Sequence, residues 1–141
     1  MIAVDWTAGG NTLNYITARN RVGEVARVMG SFIDFLHSFE LIRFSELHII
    51  GHSLGGQIAG LTGKAVRQGR IQVITALDPA GPLFSFSNPA ERVANTDAVY
   101  VEVIHTNMGR LGFDQPIGDV RSPMKLKFPS LNKFFAGRFF P

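Results

Sequence analysis

None of the 141 residues is cysteine, which excludes a disulfide framework, a thiolate metal site and a cysteine nucleophile. A long apolar run is lacking too. The stretch that comes nearest, Leu47 to Gly63, is free of Asp, Glu, Lys and Arg but holds five glycines as well as His48, His52, Ser53 and Thr62. It is also too short to span a bilayer comfortably, so no transmembrane segment is expected. The opening Met1-Ile2-Ala3-Val4-Asp5-Trp6 has neither a basic start nor a small-residue cleavage site, and no signal peptide is legible in it. Acidic residues are missing from residues 121–141, where Arg121, Lys125, Lys127, Lys133 and Arg138 stand; the rest of the chain carries nine basic residues against eleven acidic ones. The net charge of +3 therefore belongs to the tail, and a nucleic-acid partner has no support in the body.

What is present suffices for one packed domain: 45% of the residues are hydrophobic, which argues against disorder. Ile2 to Val4 is β-prone and precedes a turn composition, Thr7-Ala8-Gly9-Gly10-Asn11, so a first strand is expected there. From Arg19 to about Ser38, the apolar residues Val22, Val25, Met29, Phe32 and Leu36 step by three and four, the stripe of a helix with one buried face. Leu47 to Ile50 reads as a short buried strand and Leu54 to Val66 as a second helix, with Gly69 between Arg67 and Arg70 as its stop. Ile71 to Leu77 is another strand, broken by Asp78-Pro79, and Ala98 to Ile104 a further one. Strands alternating with helices predict an α/β domain with a mainly parallel sheet, helices on both faces and right-handed crossovers. In such sheets ligands bind beyond the carboxyl ends of the strands. Ser53, Asp78 and His105 all fall there.

Gly51-His52-Ser53-Leu54-Gly55 matches G-x-S-x-G between a strand and a helix, the context in which that pattern presents a serine nucleophile on a sharp turn. Flanking glycines would relieve collisions with neighbouring backbone. The Leu54 N–H, at the start of the helix, would face a developing oxyanion. The plain alternative is a glycine-rich turn with an ordinary serine. Asp78, 25 residues further on, should emerge beside Ser53 from the next strand and could orient a histidine base; Pro79 biases it toward extended backbone. The alternative is an Asp-Pro turn starter. With the chain order serine, acid, histidine, only His105 is placed as a base. His37, His48 and His52 read as structural.

Leu47-His48-Ile49-Ile50-Gly51-His52-Ser53-Leu54-Gly55-Gly56, Leu77-Asp78-Pro79-Ala80-Gly81-Pro82 and Val101-Glu102-Val103-Ile104-His105-Thr106 together resemble the animal pancreatic-lipase family. Val4-Asp5-Trp6, Tyr15 and Val22-Gly23 fit as well, and the stretch Asn107 to Val120 resembles its arthropod members. The resemblance implies a partial α/β-hydrolase domain over residues 1–120 and a secreted enzyme that cleaves triacylglycerols or phospholipids at a lipid–water interface. Ser53 would be its nucleophile and Asp78 its acid, and no cofactor or metal is implied. It also implies that the histidine at position 105 is a motif residue, with the base drawn from a later segment. After Val120 the chain departs from the family's pattern. Residues 121–141 then read either as a basic, aromatic segment for an anionic membrane surface or, the favoured expectation, as an unrelated ending from a truncated or misread gene model. The competing functions are a catalytically inactive lipid-binding relative, which the retained Ser53 and Asp78 argue against, and another serine hydrolase such as a thioesterase or peptidase.

Overall fold

The structure is a computed structural model in which residues 1–10, 14–108 and 110–123 are described. Its elements in chain order are helix α1 (Thr7–Gly10), helix α2 (Tyr15–Ser38), strand β1 (His48–His52), helix α3 (Leu54–Ala65), strand β2 (Val73–Leu77), strand β3 (Tyr100–His105) and strand β4 (Val120–Pro123), with three short 3₁₀ turns between them. The strands form one sheet in the order β1-β2-β3-β4. Every pairing is parallel, and α3 packs on β1 and β2 while α2 packs on α3.

Several sequence expectations are corrected. Residues 1–6 form no strand; Ile2 and Val4 are exposed, and β propensity without a partner strand does not make a ladder. The glycine-rich stretch after them begins as a single helical turn, α1. Helix α2 starts four residues before Arg19, because the Asn14 side chain accepts hydrogen bonds from the N–H groups of Ile16 (3.0 Å) and Thr17 (3.4 Å), an N-cap that satisfies amides with no intrahelical partner. Its buried stripe is Ala18, Val22, Ala26, Gly30 and Ile33, and Phe32 is exposed. The stripe is turned from the expected one because α2 lies too close to α3 for bulk: a Cβ on Gly30 would stand 2.8 Å from that of Ala65.

Strand β4 was not expected from the sequence, since its four residues carry little pattern; it crosses the compositional boundary drawn after Val120. The remaining eighteen residues of the basic tail lie outside the described residues. The core joins the inner face of the sheet (Ile74, Ala76, Val101, Val103) to Ile71, Ala59, Val93, Ala98 and Phe113. On the outer face His48 and Ile50 of β1 are exposed, and the His48 ring reaches the Thr75 hydroxyl (2.9 Å), which donates to Glu102 (3.2 Å).

Candidate active site

Parallel pairing aligns the strand ends. His52 stands opposite Leu77, and Leu77 opposite Ile104, so Ser53, Asp78 and His105 are the next residues of three adjacent strands. The ladder continues into this row: the Ser53 N–H donates to the Leu77 carbonyl (3.0 Å) and the Asp78 N–H to that of Ile104 (2.7 Å). Strands lie about 4.8 Å apart, which makes the serine and the acid immediate neighbours.

Ser53 sits at the N-terminus of α3 with φ 54° and ψ −120°. A non-glycine residue in that region costs on the order of 1–3 kcal/mol and persists only where its surroundings enforce it. Here they do: the Ser53 carbonyl accepts from both the Gly56 N–H (3.0 Å) and the Ala80 N–H (3.1 Å), tying the turn to α3 and to the loop beyond the acid. A serine at a helix start ordinarily caps it with its hydroxyl. The Ser53 side chain makes no cap bond, which leaves the reading of an ordinary capping serine without its usual geometry. Leu54 is the first residue of α3, and its N–H, like any first-turn amide, has no intrahelical acceptor. The two flanking glycines differ. A Cβ on Gly51 would lie 2.1 Å from the Gly55 carbonyl oxygen, as expected of the turn, whereas one on Gly55 would meet nothing within 4 Å; only the first is sterically required.

Asp78 also departs from its sequence reading, with φ 44° in place of the extended backbone that Pro79 was expected to favour; its N–H bond to β3 and the turn into Pro79 override that bias. Its Oδ1 accepts the N–H groups of Thr106 (3.1 Å) and Asn107 (2.9 Å). These amides lie at the end of the neighbouring strand, not in a local Asp-Pro turn. With Oδ1 engaged by two donors, Oδ2 is the oxygen on which a base can be oriented.

The His105 ring is buried, and neither ring nitrogen makes a hydrogen bond of normal geometry. Burial lowers its pKa from the usual histidine value; the Phe113 backbone and the Asp78 charge offset part of this. Asp78 stands between His105 and Ser53 in the row, so their backbones are about 10 Å apart. That arrangement does not suit a base that must touch both serine and acid.

Two residues of this region were not singled out in the sequence. Gln57, fully buried one turn into α3, donates from Nε2 to the Ala80 carbonyl (2.6 Å) and accepts the Val93 N–H on Oε1 (2.8 Å), bracing the loop that follows the acid. Arg92 is buried and donates to the carbonyls of Ser85 (3.2 Å), Phe86 (2.7 Å) and Val93 (2.8 Å). A lone polar residue in a helix gives no spacing signal, and an arginine in a polar loop looks solvated. Among the described residues no group of three or more His, Asp or Glu could hold a metal ion, and no helix is long and apolar enough to cross a membrane.

A strained serine on a strand-to-helix turn, with an aspartate on the adjacent strand end, is the context in which the G-x-S-x-G pattern is meaningful. The sequence profile of the Lipase family matches residues 1–121, and the chain belongs to that family; its parallel sheet and helices are a partial α/β-hydrolase fold. It is 38% identical over 120 residues to Lipase member H of Oryctolagus cuniculus, covering 85% of this chain and 26% of that protein. The same protein of Mus musculus is 37% identical over 123 residues, again covering 85% and 26%. Probable phospholipase A1 magnifin of Vespa magnifica is 35% identical over 131 residues, covering 85% of this chain and 39% of that protein. The chain thus spans between about a quarter and two fifths of the length of these relatives.

Proposed function

We propose that this chain carries the nucleophile and acid of a secreted lipid esterase, a triacylglycerol lipase or phospholipase A1, working through an acyl-enzyme. Ser53 attacks the ester carbonyl, a histidine takes its proton, and Asp78 orients that histidine and stabilises the imidazolium. The Leu54 N–H contributes one oxyanion donor. None of His37, His48, His52 and His105 is assigned as the base, which belongs to another segment of the domain. The observation that carries the reading is the strained, non-capping Ser53 in register with an acid whose Oδ1 is saturated by backbone donors.

A lipid substrate is supported by the family and by the exposed Leu83, Met108 and Leu111, which lie on loops tied together beside the acid by the bond from the Gly81 N–H to the Leu111 carbonyl (2.8 Å). An apolar rim suits an enzyme that works at a lipid–water interface. We take residues 1–120 as the lipase portion and residues 121–141, basic and rich in phenylalanine, as a divergent tail.

The test is ester hydrolysis by the full-length gene product, with p-nitrophenyl esters, triacylglycerol and phospholipid compared with peptide amides. Serine-dependent release of fatty acid supports the proposal. Cleavage of amides alone, with no ester turnover, would overturn it in favour of a peptidase.

A further inference from the structure

The backbone that follows β3 turns back over Asp78. Thr106 and Asn107 donate to Oδ1; the Gly112 N–H returns to the Asn107 carbonyl (3.2 Å), and the Phe113 N–H reaches the Pro79 carbonyl (2.8 Å) on the other side of the acid. Ala80 and Gly112 form an antiparallel bridge. This closes a loop around the carboxylate with Gly112 at its tightest point. A Cβ there would stand 2.4 Å from Asp78 Oδ1, 3.0 Å from the Asn107 carbonyl oxygen and 3.1 Å from its carbon. The aspartate has only two side-chain torsions, and Oδ1 is held by two amides. It can make room only by leaving one of them, which would also re-aim Oδ2.

We propose that Gly112 is a positioning residue for the acid: its bare Cα lets the loop close on Asp78 so that Oδ1 stays on the Thr106 and Asn107 amides and Oδ2 faces the base. This rests on the assignment of Asp78 as the acid. Its effect is on the base's surroundings, not on substrate binding. Pushing the carboxylate aside weakens its hold on the imidazolium and lowers the base's pKa.

The test uses the full-length gene product with Gly112→Ala, Asp78→Ala and the double substitution, and with Gly23→Ala as a control, since a Cβ on Gly23 would meet nothing within 4 Å. Gly112→Ala should lower kcat about a hundredfold with KM unchanged, within the roughly ten-thousandfold that a disabled acid costs. The acidic limb of its kcat/KM profile should move to lower pH. In the Asp78→Ala background, Gly112→Ala should cost no further activity and clearly less thermal stability than in the parent, because the closest atom it strikes is gone and only the Asn107 carbonyl, at 3.0 Å, remains. A loss of activity with an unmoved pH profile, or an equal further loss of stability in that background, would overturn the proposal. If Gly112→Ala alone fails to fold, the melting temperatures of Asp78→Ala and the double variant decide. They also decide if the enzyme proves not to depend on Ser53, so the geometry of Gly112 and Asp78 is judged separately from the esterase reading.

Discussion

Replacing Gly51 and Gly55 separately by alanine probes the nucleophile turn, because the two positions look equivalent in the motif and are opposite in space. At Gly51 the new Cβ would lie 2.1 Å from the Gly55 carbonyl oxygen, 2.4 Å from its carbon and 2.9 Å from the Gly56 nitrogen. All three are backbone atoms of the first turn of α3, so β1 and the helix must part by about 1 Å. Overpacking a tight site costs about 1–3 kcal/mol when side chains yield, and here only backbone can, so Gly51→Ala should cost about 3 kcal/mol or more. At Gly55 there is open space, and a helical glycine replaced by alanine gains up to about 0.5–1 kcal/mol. With a urea dependence of about 2 kcal/mol/M, the unfolding midpoints of the two variants should differ by about 1.5 M or more, with Gly55→Ala at or above the parent. Equal midpoints, or a Gly51→Ala midpoint within about 0.3 M of the parent, would refute the steric account of the turn.

Other perturbations follow from the same structure. Gln57→Leu keeps the volume but orphans the buried Ala80 carbonyl and Val93 N–H, each costing about 1–3 kcal/mol; urea unfolding should show a loss of about 2–6 kcal/mol, and a loss under 1 kcal/mol would mean that water replaces the side chain. His105, whose pKa is lowered in the folded chain by burial, binds its proton more readily when unfolded. The stability gained from keeping it neutral is therefore complete above the unfolded value of about 6.5 and lost as pH falls below it, at up to about 1.4 kcal/mol per pH unit. Stability measured from pH 7.5 to 5 should show that slope in the parent chain and lack it in His105→Gln; identical slopes would contradict the buried neutral imidazole.

Reading the sequence worked best where one residue type answers one local demand. Ser53 between a β-branched run and a helical stripe, and Asp78 at the next such run's end, could be placed on one edge because a parallel sheet allows little else. The reading failed where the decisive partner is distant. Asn14 caps α2 through its own side chain, but the apolar stripe drew attention to Arg19 onward. Phe32 looked like core because it fell on the three-and-four apolar spacing, yet the close approach of Gly30 to Ala65 turned the helix onto its small residues. The φ of Asp78 is set by β3 and by the turn, against the local bias of Pro79. Gln57, Arg92 and Gly112 gave no motif at all; each is explained only by what another segment brings within reach.

The most direct test of the account is the ester-hydrolase rate of the full-length gene product with and without Ser53→Ala, on one ester substrate and with both proteins shown to be folded. If Ser53 is the nucleophile, the substitution lowers kcat by on the order of a millionfold and leaves the melting temperature equal or higher, since alanine at this strained turn gives up no cap bond. Ester hydrolysis that survives the substitution at a comparable rate would contradict the assignment of this turn as the site of attack.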